Sequence, residues 1–308
     1  MGKKGTSSDV TLYNLVRDGQ VLTIVEPTQF PDKFPPLLYS IALADRVILV
    51  VAALDRAFAE SIATLDLFDT PVSIHLSGGV GEAEVRRVLK GSRFESVPMA
   101  PLDIPHLREE LIAWSPPPAP DGPVLVRLDH AFPVKGVGTV ALGFVQRGVL
   151  HAHDKLRAWP TDREVEVRSI QSQDVDVKEA ARGTRVGVAL KGVDADEISR
   201  GQVLAPATGL TVGDRFVLGD RRDSRYYRGR VEKGAQLQLL AGLQLIPARL
   251  ESVAPDRLEL SSDRPVVAAR GDPVWLADLS AAPGPRMVAR ALLQDLKLDT
   301  PNPTSSSA

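Results

Sequence analysis

Five arginines and two tyrosines fall within ten residues of this chain: Arg221-Arg222-Asp223-Ser224-Arg225-Tyr226-Tyr227-Arg228-Gly229-Arg230. Guanidinium groups pair with phosphate oxygens and phenol rings stack on bases or sugars, so Arg221, Arg222, Arg225, Tyr226, Tyr227, Arg228 and Arg230 have the chemistry of an RNA contact. The same tract also reads as a solvated loop entering a strand, with its tyrosines packed on a barrel, and the residues alone leave both readings open. No catalytic constellation stands beside it. The chain has no Gly-x-Ser-x-Gly elbow and no His-Glu-x-x-His pair, and Glu109-Glu110 next to Arg108 reads as solvated helix surface. His151 and His153 are spaced to share a strand face, but no carboxylate stands at a suggestive distance, so no metal site is assigned.

Composition narrows the classes. With 308 residues, 44% hydrophobic and 25% charged, the chain has room for two or three ordinary globular domains. A net charge of −2 gives no global attraction to nucleic acid or membrane, so DNA and membrane are not expected as partners and any RNA contact must come from a local patch. The absence of cysteine excludes disulfides, thiol catalysis and cysteine-held metals and fits a cytoplasmic protein. The longest apolar run, Val47 to Leu54, falls far short of the roughly 20 residues of a membrane-spanning helix and reads as a buried strand.

The chain uses two grammars in succession. Up to about residue 115, the apolar runs Val21 to Val25, Val47 to Ala53 and Val72 to Leu76 alternate with helical stretches at Pro35 to Ala44, Ala57 to Phe68, Glu82 to Lys90 and Pro105 to Trp114. Strands alternating with helices imply a parallel α/β sheet whose strands are covered on both faces. A hairpin turn at Asp18-Gly19 makes one edge of that sheet antiparallel. The prolines of 116–121 form a stiff linker. From 122 the pattern changes: Val165 and Val167 alternate with charged residues, as do Val186, Val188 and Leu190 with their neighbours, and glycines cut the runs. Short, evenly punctuated strands close into a small barrel. A second β-rich region spans 207–294, with Leu237, Leu239, Leu258 and Leu260 alternating and Arg270-Gly271-Asp272 at a turn. The polar Ser/Pro-rich segment 295–308 is expected to be disordered.

The segments Gly136-Val137-Gly138-Thr139-Val140, Arg147-Gly148, Val167-Arg168-Ser169-Ile170-Gln171, Ala180-Ala181-Arg182-Gly183, Lys191-Gly192-Val193 and Arg200-Gly201-Gln202-Val203-Leu204 occur in this order over about seventy residues. Together they resemble the second domain of the translational elongation factors: elongation factor Tu, elongation factor 1 alpha and SelB. Residues 207–294 are similar, more loosely, to the third domain, and residues 1–115 to the GTPase domain entered partway through. The resemblance implies an incomplete P-loop GTPase-like α/β domain followed by two antiparallel β-barrels.

The family's nucleotide chemistry does not follow the resemblance. A phosphate loop needs glycines, a lysine and a hydroxyl for magnesium. At the start of this chain Lys3 and Lys4 lack the hydroxyl residue, while Gly5, Thr6 and Ser7 lack the lysine. Where the family carries Asp-x-x-Gly-His the chain has Glu26-Pro27-Thr28-Gln29-Phe30, without the glycine that approaches the γ-phosphate or the water-positioning histidine. The guanine-reading position holds Ser77-Gly78-Gly79, with no carboxylate for the base. The resemblance therefore implies a binding protein of the translation apparatus that holds tRNA, the ribosome, a ribosomal protein or another translation factor, with no cofactor. The alternative is a translational GTPase using GTP and Mg2+ through a divergent site, or one completed by residues upstream of Met1.

Overall fold

The computed structural model describes residues 3–7, 9–17, 20–116, 122–281 and 284–298, with side chains from residue 9 onward, Gln20 excepted. The expected Asp18-Gly19 turn, most of the proline linker and the tail beyond Leu298 lie outside the described residues. The chain divides into two compact units. One holds the α/β domain together with residues 223–228 and 279–287, and the other holds the remainder of both barrels.

The α/β domain contains two small sheets rather than one. Strands β1 (Lys3–Ser7), β2 (Thr11–Arg17) and β3 (Gln20–Glu26) form an antiparallel sheet in that order. Helix α1 (Pro35–Leu43) then leads to β4 (Val47–Val51), α2 (Arg56–Leu65), β5 (Val72–Leu76), α3 (Glu82–Leu89), β6 (Met99–Pro101) and α4 (Ile104–Ala113). Only β4, β5 and β6 are parallel, in sequence order. The expectation of one sheet containing both Val21–Val25 and Val47–Val51 is corrected, because no ladder joins β3 to β4. The expectation of cover on both faces also fails at this edge, where Val50 is 45% exposed. The core is built elsewhere, from Phe34, Leu38, Leu65, Leu67, Phe68, Ile74, Leu89 and Phe94, each at most 2% exposed. Burying side chains of this size contributes about 1.5–3 kcal/mol each.

The first barrel comprises β7 (Leu125–Val134), β8 (Gly138–Arg147), β9 (Val149–His151), β10 (Lys155–Trp159), β11 (Arg163–Ser172), β12 (Val175–Val177), β13 (Glu179–Ala181), β14 (Arg185–Lys191) and β15 (Val203–Ala205). Strands β10-β15-β7-β8-β14-β11 run side by side, and β10 pairs with β11 to close a six-strand antiparallel ring. The alternation seen in sequence is the inward face: Val165, Val167, Val186, Val188 and Leu190 are all buried in one cluster. Gly192 has φ +100°, and a β-carbon there would lie 2.5 Å from the Glu164 carbonyl oxygen, so no other residue makes this turn without strain.

The second barrel closes in the order β16-β19-β18-β17-β20-β21, from β16 (Thr211–Asp223), β17 (Gln236–Ala241), β18 (Gln244–Val253), β19 (Leu258–Ala268), β20 (Pro273–Ala277) and β21 (Met287–Lys297). The last strand thus runs past the boundary drawn at 294, because Leu293 and Leu296 are buried and continue the inward pattern. The barrels share an apolar seam of Leu125, Val203 and Val267, with Trp159, Leu210 and Val212 packed on it. Beside it, the buried Gln244 donates through Nε2 to the Val267 carbonyl at 2.7 Å and accepts from the Val267 N–H at 2.9 Å. Both ends of this amide are satisfied across a strand pair, as burial demands.

Candidate nucleic-acid interface

The arginine–tyrosine tract does not enter a strand; it leaves one. Arg221, Arg222 and Asp223 complete β16, and the chain then turns through Arg225 and Tyr226. Residues 223–228 belong to the compact unit of the α/β domain. Arg225 donates through Nη1 to the Gly91 carbonyl, and its guanidinium sits 5.6 Å from the Tyr226 ring centroid. Burial and the Asp66 carboxylate hold the Tyr226 phenol above its ordinary range, against a hydrogen bond with Ser92. Ser224 is buried, and its Oγ accepts from the Tyr226 N–H at 3.3 Å. Arg225 and Tyr226 are thus committed to packing on the loop after α3. Tyr227 is half-buried, whereas Arg222, Arg228 and Arg230 are exposed.

A second constellation, not singled out as a site in the sequence, lies on the first barrel. A cleft of about 690 Å3 is lined by Val137, Gly138, Thr139, Arg163, Arg168, Lys191, Gly192 and residues 193–197, among others. Two turns and one short helix shape it. Gly138 and Gly192 supply positive φ at the ends of β8 and β14, and Thr139 Oγ1 donates to the Val193 carbonyl at 2.8 Å, tying the two turns together. The 3-10 helix Ala195–Glu197 is closed by a reciprocal cap between Asp194 and Glu197.

The cleft carries mixed charge. Arg163 pairs with Glu197 at 2.8 Å, and the Asp194 N–H, with Arg163, holds the Glu197 carboxyl below the usual carboxylate range. Arg168 reaches the Val137 carbonyl with Nη1 at 3.2 Å while remaining exposed. The arrangement presents a planar guanidinium, a lysine, backbone groups at glycines and the Asp196 carboxylate. Such a surface offers donors, acceptors and a stacking plane together, which suits a sugar or an unstacked base more than a bare phosphate.

The positions that the resemblance connects with a nucleotide are scattered. Lys3, Lys4, Gly5, Thr6 and Ser7 lie in β1, extended and paired with β2. Glu26 ends β3, on the opposite edge of that sheet, and accepts from Tyr13 Oη at 2.9 Å. Phe30 sits in the following turn, its N–H donating to the Pro27 carbonyl at 2.9 Å. Ser77 belongs to the other sheet, at the end of β5, where its N–H donates to the Val51 carbonyl at 2.9 Å. At the C-terminal ends of β4, β5 and β6, every following helix begins with its own carboxylate. Asp55 accepts from Phe58 N–H at 2.9 Å, Asp103 accepts from His106 N–H at 3.0 Å, and Glu82 and Glu84 occupy the first turn of α3.

His153 has φ +72° and lies in a turn after β9, so it does not share a strand face with His151. His151 instead faces Glu179, with Nε2 3.4 Å from Oε2. Among the described residues, no group of three or more metal-binding side chains converges.

Residues 138–205, nearly the whole first barrel, match the family model of elongation factor Tu domain 2. Across almost its full length the chain is similar to an uncharacterized protein of Methanocaldococcus jannaschii, with 33% identity over 282 residues and 91% of each chain covered. The selenocysteine-specific elongation factor of the same organism is 35% identical over 138 residues, which are 44% of this chain and 29% of that factor. The chain belongs to the translational GTPase-like family. This family member therefore spans under a third of the SelB-type factor's length. Its fold follows the structure of SelB from Methanococcus maripaludis in complex with the GTP analogue GPPNHP, with a TM-score of 0.81 at 22% identity, covering 94% of this chain and 74% of that one.

Proposed function

We propose that this translation-factor relative has lost GTP hydrolysis and acts as a binding protein for RNA, with tRNA as the favoured ligand. The observation that carries the first half is the row of carboxylates at the C-terminal edge of the parallel sheet. A helix N-terminus attracts phosphate because its free N–H groups and dipole favour an anion. Here Asp55 and Asp103 already accept those N–H groups, and Glu82 and Glu84 add negative charge to the third helix start. A phosphate approaching this edge meets repulsion in place of donors. Residues Lys3 to Ser7 run as a ladder strand, whose N–H groups point alternately to either side and cannot converge on one anion. The residues present do not fit a guanine nucleotide, and no chemical step is assigned to one.

The RNA half is supported by the cleft on the first barrel and by the exposed arginines of the second. Arg168 and Lys191 flank a polar cleft sized for a nucleotide unit, and Arg222, Arg228 and Arg230 offer cations beyond it. Both barrels are retained in closed form, as in the SelB-like fold. The test is the anisotropy of labelled tRNA titrated with the full chain at rising salt. Binding at low salt that weakens with a log–log slope of roughly 0.7 to 0.9 per neutralised phosphate supports the reading. No binding at low salt overturns it in favour of docking to a translation factor or ribosomal protein.

A further inference from the structure

The α/β domain contains two strand edges that nothing among its described residues pairs. Strand β3 ends one sheet and β4 ends the other. Within β4, Val47 donates to Pro71 at 2.8 Å and the Val51 carbonyl accepts from Ser77 at 2.9 Å. Alternation then turns the N–H and C=O of Ile48 and Val50 away from β5, toward the open edge. Helix α4 spans the two sheets: it packs against β3, Glu109 pairs with Arg17 at the end of β2, and Glu110 pairs with Arg46 at the foot of β4.

We propose that the edges of β3 and β4 form a slot that accepts one extended, uncharged strand from another polypeptide. This goes beyond the RNA reading and does not depend on it. A parallel strand such as Val47–Val51 normally has neighbours on both sides, and natural edges are guarded by lysine, proline or a bulge. Neither Val47–Val51 nor Val21–Val25 carries a charge or a proline. Val21 and Val50 are 46% and 45% exposed, so the lining is apolar and its open backbone groups demand an extended chain, the recognition mode of strand addition. The chain's own ends do not qualify. The segment after Leu298 carries Pro301 and Pro303, which lack ladder donors, and β1 is already paired on the far side of β2.

The test is amide hydrogen exchange of the full chain, alone and with an acetylated Thr-Val-Thr-Ile-Thr-Val peptide. Alone, the Ile48 and Val50 amides exchange fast while Leu49, bonded toward β5, is protected. With the peptide, Ile48 and Val50 slow at least tenfold, and a peptide N-methylated at alternate residues has no effect. Val50→Pro, which removes one outward N–H and leaves the β5 ladder intact, abolishes the slowing. Four results overturn the proposal: protection of Ile48 and Val50 without peptide at any dilution, protection that grows with protein concentration as a second copy would cause, no slowing by the peptide, or equal slowing by its N-methylated form.

Discussion

Gly242 and Arg127 share one space at the junction of the barrels: a β-carbon on Gly242 would fall inside the Arg127 guanidinium. Arg127 is held there at a cost. Burial lowers its pKa, Asp272 opposes that shift and Arg147 adds to it. Gly242 also has φ +61°, so alanine there meets both backbone strain and overpacking. Gly242→Ala is expected to destabilise the barrel unit by about 1–3 kcal/mol, measured as a lower urea midpoint. An unchanged midpoint would show that Arg127 relocates freely.

His75 gives the α/β domain an acid limit. The ring is 8% exposed, with Nδ1 lacking a hydrogen-bond partner among the described residues. Desolvation holds its pKa below the ordinary 6.5, opposed by Glu110 and reinforced by Arg46. The unfolded chain therefore takes up the proton first, so stability is full above about pH 6.5 and falls as the pH drops through that value. Thermal melts between pH 7.5 and 5 should show this decline, flattened in His75→Leu. A wild-type profile without slope over that range would refute it.

The arginine tract should separate into two behaviours. Arg222→Gln, Arg228→Gln and Arg230→Gln together are expected to reduce the salt slope of tRNA binding with the melting temperature unchanged. Arg225→Ala should instead lower stability, because it removes the bond to Gly91 and the stack on Tyr226. Equal loss of RNA affinity in both variants, with no change in melting, would place Arg225 in the RNA contact after all.

The barrel cleft predicts a stacking contribution. Arg168→Ala is expected to weaken tRNA binding about tenfold, since base stacking contributes roughly 1–3 kcal/mol. Lys191→Ala should weaken it less. A duplex lacking an unpaired end should bind both variants and the wild type alike. Unchanged tRNA affinity in Arg168→Ala would remove the cleft from the account.

The barrels were legible because burying one face of a strand imposes alternation, which Val165 and Val167 or Leu237 and Leu239 show directly. The turns were legible because Gly192 and Gly201 occupy backbone conformations that other residues avoid. The commitment of Arg225 and Tyr226 was not, since their partners Gly91 and Ser92 lie more than 130 residues away and leave no local trace. Strand β6 was missed because Met99–Pro101 is three residues long and ends in proline. The split into two sheets escaped because Val21–Val25 and Val47–Val51 look like interior strands, and only tertiary pairing tells an edge from a centre. The cleft was overlooked because its residues carry the barrel's own turn motif, so Arg168 read as fold.

The account's central claim is that this chain binds RNA without a guanine nucleotide. Its most direct measurement is tRNA affinity at fixed magnesium and salt, with GTP, with GDP and with neither. The account predicts one dissociation constant for all three conditions. An affinity that rises tenfold or more with GTP over GDP would contradict it, because only a working nucleotide site can couple to the RNA.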